Sequence, residues 1–219
     1  MISILNKQNS IFNQYLAEAR DAGIQTDSLR FRNNLERMGS IFAYEISKSL
    51  IYKPHEVVTP FGIADENLIN ESPVIVSILR AGLPIHEGML RFFDKANSGF
   101  VSVFRNHEKD GKFSLKSEYV SCPELDGRTL ILIDAVIASG SSISMAYNTL
   151  LQNGTPRHTY LVALVASKEG LEFLRKKYSS QNVSILLGAL DEELTVKSFV
   201  VPGIGDAGDL AYGIKPPII

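Results

Sequence analysis

The sequence has no tryptophan and a single cysteine, Cys122, in 219 residues. A lone thiol excludes an intrachain disulfide. With neither a second cysteine nor spaced histidines beside Cys122-Pro123, it makes no zinc site and a poor candidate nucleophile. Long apolar runs are missing too. None reaches the length of a membrane span, and Met1-Ile-Ser-Ile-Leu-Asn-Lys-Gln8 lacks the apolar core of a signal peptide, so the expectation is a cytoplasmic protein with no membrane partner. Neither sign of charge dominates: 22 basic against 24 acidic residues leave a formal charge of −2, which gives no general attraction for nucleic acid. Repeats, low-complexity tracts and linkers rich in Pro, Gly or Ser are absent, so residues 1–219 read as one domain. A composition that is 45% hydrophobic suffices for one large core.

What the sequence does contain is an alternation of two periodicities. Leu35, Met38, Phe42, Ile46 and Leu50 recur at helical spacing and predict an amphipathic helix over residues 33–51. Apolar runs at Val74–Leu79, Phe100–Phe104, Thr129–Ile133, Tyr160–Ala166 and Val183–Leu187 predict strands, with helical stretches between most of them. Strands alternating with helices imply right-handed crossovers and an α/β fold, a doubly wound, mainly parallel sheet. Such sheets bind ligands beyond the carboxyl ends of their strands, which makes the strand ends candidates for function.

Asp134 closes the run Thr129–Ile133, and Ala135-Val-Ile-Ala138 leads into Ser139-Gly140-Ser141-Ser142. A helix is predicted next from Ile143, Ala146, Tyr147, Leu150 and Leu151, stopped by Asn153-Gly154. Small hydroxyl residues at a helix N-terminus suit a phosphate, which would meet free N–H groups, the positive end of the dipole and side-chain donors. Taken alone, the same serines read equally well as caps of their own helix. No lysine follows them, so the loop is not a Walker A motif. Arg80 follows the first strand and Arg105 the second, so both would converge with Asp134 and the loop. Glu108-Lys-Asp110-Gly111-Lys112 carries the Asp-Gly signature of a hairpin turn, and the hairpin would form a flap over the site.

In the tail, Gly203-Ile-Gly205-Asp-Ala-Gly208 matches the dinucleotide pattern G-x-G-x-x-G. Pro202 before it, and Gly213, Pro216 and Pro217 after it, leave no room for the helix and second strand that pattern needs. What remains is a glycine-rich loop with Asp206 and Asp209. It reads either as backbone groups facing the carbonyl–NH–carbonyl edge of a flat heterocycle or as an ordinary turn.

In order along the chain, Ile78-Leu-Arg-Ala-Gly-Leu83, Phe104-Arg-Asn106, the loop Asp134–Ser142, Leu164-Val-Ala166 with Glu169-Gly170, and Val201-Pro-Gly-Ile-Gly-Asp-Ala-Gly-Asp209 resemble the uracil phosphoribosyltransferase family. The similarity runs from Phe31 to Lys215, and the tail motif is the part that points to uracil. The resemblance implies a type I phosphoribosyltransferase fold with a β-hairpin flap and a C-terminal uracil-binding loop region. It implies transfer of ribose 5-phosphate from 5-phosphoribosyl 1-pyrophosphate (PRPP) to N1 of uracil, giving UMP and diphosphate in pyrimidine salvage with Mg2+ as cofactor. Arg80, Arg105, Asp134 and Asp206 would be the catalytic residues. PRPP would lie against Arg80, Arg105, Asp134, Ala135, Val136, Ile137, Ala138, Ser139, Gly140, Ser141, Ser142 and Asp206. Uracil would meet Val200, Gly205, Asp206 and Ala207, and magnesium would be held mainly through PRPP and water.

The resemblance further implies a cis peptide at Arg80-Ala81, a homo-oligomer (dimer or tetramer), and GTP as an effector in some members. Apolar surface on the early helix region points to the same assembly. The loop departs from the family pattern: Ala135 replaces a proline, Ser139 replaces a threonine, and Ser141 stands where a second glycine is usual. A serine there is unfavourable if that position needs a positive φ. The alternative reading is a non-catalytic regulatory protein of the same fold that senses UMP or PRPP.

Overall fold

Helix starts are set by short polar side chains. Ser10, Asp27 and Ser167 each accept a hydrogen bond from the first-turn backbone N–H groups of α1 (Ile11–Arg20), α2 (Ser28–Ser47) and α5 (Lys168–Lys177). The computed structural model describes residues 1–107, 113–196 and 198–215, with the backbone alone for 104–107 and 113–118. Strand β1 (Ile2–Ile4) precedes α1, and the hairpin β2 (Tyr52–Thr59) and β3 (Gly62–Ile69) follows α2. Next come β4 (Val74–Leu79), α3 (Gly82–Leu90), β5 (Asn97–His107), β6 (Phe113–Ser121), β7 (Thr129–Ile137) and α4 (Ser141–Leu150). Strand β8 (His158–Ser167) leads into α5. The chain then forms β9 (Val183–Asp191), β10 (Glu193–Leu194), β11 (Val200–Val201) and α6 (Ala207–Tyr212).

Seven strands form one sheet in the order β1-β9-β8-β7-β4-β5-β6, parallel except for β6. Side chains of β7 alternate between its faces, as pleating requires. Ile131 and Ile133 join Phe12, Leu35, Met38, Phe42, Ile85 and Met89 on one side, while Leu130 and Leu132 join Ile143, Ala146, Leu150 and Leu174 on the other. Both faces are therefore covered, which explains the unbroken apolar runs. The chain leaves β4 for β5 on one side and returns as β7 on the other, so the strand order reverses between β4 and β7.

His86, fully enclosed, fixes α3 behind this switch point. Its Nδ1 lies 3.1 Å from Ser77 Oγ on β4, and its Nε2 lies 2.9 Å from Ser98 Oγ on β5. Burial lowers it to about 4, so the imidazole stays neutral near pH 7.

Several expectations are corrected. The early helix begins at Ser28, where Asp27 caps it, and ends at Ser47, short of Leu50. Its stripe Leu35, Met38, Phe42 and Ile46 is buried in the core, while Leu29 and Tyr44 on the same helix remain exposed as apolar surface. Strand β7 runs past Asp134 to Ile137: its ladder with β4 ends at Ile133, but its ladder with β8 continues to Ala166. The tail does hold a helix, α6, because the Asp206 side chain caps it by accepting from Asp209 N–H at 3.0 Å. The cis peptide is Leu79-Arg80 rather than Arg80-Ala81, and Ala81 already has helical angles ahead of α3. Strands β5 and β6 pair antiparallel as far as His107 and Phe113, but the turn on which the flap expectation rests lies outside the described residues.

Candidate active site

A cleft of about 290 Å³ opens at the carboxyl ends of β4 and β7, where parallel α/β sheets bind their ligands. Arg80 lines one wall, residues 134–142 form the floor, and Val200, Gly205, Asp206 and Ala207 form the opposite wall. These are the residues marked from the sequence, brought together from segments far apart in the chain. Arg105 lies on β5 opposite Leu115, and its side chain is outside the described residues.

Asp134 sits where β4 leaves the ladder, so its carboxyl faces the cleft while the strand continues beside β8. Burial pushes this carboxyl up to about 7, against the backbone N–H groups of Val136 and Ala135, which pull it down. A carboxyl poised near neutrality is a marker of chemistry.

Beyond it, Gly140 takes the left-handed conformation at φ +79°, and a Cβ there would meet Phe173 Cδ1 at 2.8 Å. Ser141 already belongs to α4, so serine at this position carries no backbone penalty. The N-cap of α4 has no side-chain hydrogen bond. Ser139 Oγ accepts from Ser141 N–H at a long 3.4 Å and donates to Ser141 Oγ at 3.0 Å. The helix thus starts with polar groups turned toward the cleft and weakly engaged, as a phosphate site requires. From behind, Ser167 Oγ donates to the Ala138 carbonyl at 2.6 Å and accepts from Gly170 N–H, which locks the loop to β8 and α5.

The tail wall is clamped from outside. Arg20 on α1 makes a two-pronged pair with Asp191 at the end of β9, each N···O distance 2.8 Å, and donates to the Gly203 carbonyl at 2.8 Å. Asp191 in turn accepts from Gly203 N–H at 2.8 Å. Gly203 has φ +62°, and any Cβ would collide with the Val200 carbonyl. The loop so held carries buried Val200, Ile204 and Ala207, with half-exposed Phe199 at the cleft lip.

Arg80 is engaged as well, Nη2 to Asp209 Oδ1 at 2.6 Å and Nη1 to the Gly213 carbonyl at 2.9 Å. Ser167, Arg20, Asp191 and Phe199 are not marked by the sequence, and Asp209 is marked there only as part of the glycine-rich tail motif, with no role of its own. An acid closing an apolar strand marks Asp191 as it marks Asp134, but nothing local marks Arg20. Cys122 is no competitor for chemistry, since burial pushes its thiol up to about 11.

Among the described residues, no three His, Cys, Asp or Glu side chains converge as a metal cage. No helix there is long and apolar enough to cross a membrane.

Residues 6–214 match the family described as uracil phosphoribosyltransferase. The uracil phosphoribosyltransferase of Porphyromonas gingivalis is 40% identical over 211 residues, 96% of this chain and 97% of that protein. Its counterpart in Bacillus velezensis is 39% identical over 194 residues, 87% of this chain and 89% of the relative. That of Pyrococcus furiosus is 34% identical over 203 residues, 91% and 85%. The solved structure of the AQ2163 protein from Aquifex aeolicus superposes with a TM-score of 0.85 at 30% identity, covering 98% of this chain and 99% of the other.

Proposed function

The chain belongs to the uracil phosphoribosyltransferase family, and we propose that its cleft transfers ribose 5-phosphate from PRPP to N1 of uracil, releasing diphosphate. One observation carries this reading: the α4 N-terminus, Asp134, Arg80 and the Gly205-Asp206-Ala207 turn line a single cleft at the switch point of the sheet. The 5-phosphate sits on the N–H groups and hydroxyls of Ser139–Ser142, and the ribose hydroxyls donate to Asp134. The leaving diphosphate lies against Arg80, whose guanidinium presents fixed, permanently charged donors. Uracil enters between the backbone of Val200, Gly205 and Ala207 and the apolar lip at Phe199.

The C1–O bond breaks with its electron pair going to diphosphate, the C1–N1 bond forms, and the N1 proton passes to the departing diphosphate or to solvent. Catalysis then consists of holding N1 in line with C1 and stabilising charge on the leaving group. Magnesium, when bound, neutralises the diphosphate. Asp206 and the cleft's other hard oxygen donors fit a cation that arrives on PRPP and keeps its waters.

The test is direct. Incubated with radiolabelled uracil, PRPP and magnesium, the protein forms UMP. Nucleotide binding without product, at high protein concentration, would replace the enzyme with a sensor of UMP or PRPP. Asp206→Asn is expected to lower turnover while thermal unfolding changes little. Equal loss of folded fraction and activity would make Asp206 structural instead.

A homo-oligomer is part of the proposal. The β2–β3 hairpin forms its own two-stranded sheet, and Val58, Phe61 and Ile63 at its tip are 85%, 102% and 69% exposed. An isolated two-stranded hairpin is marginal in water, and an apolar tip of this kind calls for a covering surface. A second copy of the chain supplies it. Phe61→Glu with Ile63→Glu is expected to halve the mass seen by light scattering after size exclusion. An unchanged mass would place the interface elsewhere.

A further inference from the structure

One guanidinium touches both halves of the cleft. Arg80 stands on the β4 side, where the diphosphate is placed, yet its nitrogens reach across to α6. Nη2 donates to Asp209 Oδ1 at 2.6 Å and Nη1 to the Gly213 carbonyl at 2.9 Å. Its Nε is buried with no protein partner. Asp209 lies in the first turn of α6, and its own N–H donates to Asp206 Oδ1 at 3.0 Å. The uracil turn Gly205-Asp206-Ala207, the carboxylate of Asp209 and the guanidinium of Arg80 therefore form one connected chain of contacts.

Resting on the function given above, we propose that Asp209 is a positioning residue that couples the two substrate subsites, so that uracil on the tail and diphosphate on Arg80 each tighten the binding of the other. An arginine side chain has five N–H donors. The tail contacts leave the second hydrogen on each Nη to meet a phosphate oxygen, so the anion does not have to displace Asp209. Uracil fixes the first turn of α6, and Asp209 passes that order to the guanidinium. A diphosphate that fixes the guanidinium orders the tail in return. Thermodynamic linkage makes the two effects equal. The coupling also gives the tail a reason to hold a carboxylate next to an arginine that must bind anions. Asp209 lowers the local positive charge but removes the freedom of a long side chain, which a bound anion would otherwise have to freeze.

Uracil and inorganic diphosphate cannot react with each other, because neither carries the ribose, so their mutual effect is measurable at equilibrium. Calorimetric titration of the full chain with uracil, with and without magnesium diphosphate, is expected to show roughly fivefold or greater tightening, and the reverse titration the same factor. In Asp209→Asn the factor falls below about twofold, and Asp209→Glu restores part of it. In steady state, Asp209→Asn raises the KM of both substrates more than it lowers kcat, while its thermal unfolding stays near that of the parent chain. Full coupling in Asp209→Asn, or binding of both ligands to the parent chain without coupling, would overturn the proposal alone. If the parent chain bound neither ligand, the functional reading itself would fall, and the coupling with it.

Discussion

Asp134→Asn is expected to stabilise the free protein and to remove most of its activity. The carboxyl has an ordinary value of 3.8 and is raised to about 7 in the fold, chiefly by burial. Between those values the folded chain holds a proton that the unfolded chain has released. Stability therefore falls as pH rises through this window, and the full penalty is present above pH 7. A shift of about three units at about 1.4 kcal/mol each puts that penalty on the order of 4 kcal/mol. Asparagine cannot ionise, and its carbonyl can still accept from the Val136 and Ala135 N–H groups. Denaturant unfolding should show Asp134→Asn more stable by about 2–4 kcal/mol at pH 8, with the advantage vanishing near pH 4. Activity moves the other way. With the ribose hydroxyls on Asp134 as proposed, replacing the charged acceptor by a neutral amide should cost about 100-fold or more in kcat/KM.

The same proton appears in binding. If PRPP prefers the ionised carboxylate, its affinity in the parent chain rises with pH up to about 7 and then levels, while Asp134→Asn shows no such rise. A variant less stable than the parent at both pH values would show that Asp134 is held as a structural anion.

The parts of this site that were legible in the sequence share one property: each is written locally. Val74–Leu79 matches β4 to the residue because an apolar run buried on both faces has sharp ends. The Asp134–Ser142 loop and the Gly203–Asp209 turn are continuous strings whose small residues have a local reason. Gly140 and Gly203 both sit at positive φ, and Gly203 also has no space for a side chain. The hairpin β2–β3 is not legible in the sequence because its residues are exposed over most of its length, so no burial imprints a period on them.

Position in a motif does not say which residue carries the left-handed turn, so the sequence alone does not settle whether Ser141 is strained. The backbone assigns that turn to Gly140 alone, and Ser141 keeps ordinary helical angles. The end of β7 lies past the hydropathy boundary for a related reason. Hydropathy shows where burial ends, but β7 loses one neighbour at Ile133 and keeps the other to Ile137, which only the sheet order reveals.

Arg20→Leu is expected to be the most damaging substitution outside the cleft. It would leave Asp191, whose side chain is only 7% exposed, without its cation, and the Gly203 carbonyl without a donor. Removing one partner of a buried pair typically costs about 3–5 kcal/mol, because the remaining charge stays desolvated and uncompensated. The damage is also directed. Gly203 precedes the turn proposed to receive uracil, so on that reading the KM for uracil should rise well before the KM for PRPP, whose phosphate end is assigned to α4 and β8 instead.

Asp191→Asn in the Arg20→Leu background separates charge from packing. It removes the stranded carboxylate while its amide oxygen can still accept from Gly203 N–H. Urea unfolding should therefore find the double variant about 1–3 kcal/mol more stable than Arg20→Leu alone. If the second substitution only adds to the loss, Arg20 acts through its packing between α1 and the tail rather than through its charge. The uracil turn would then be held in place by shape.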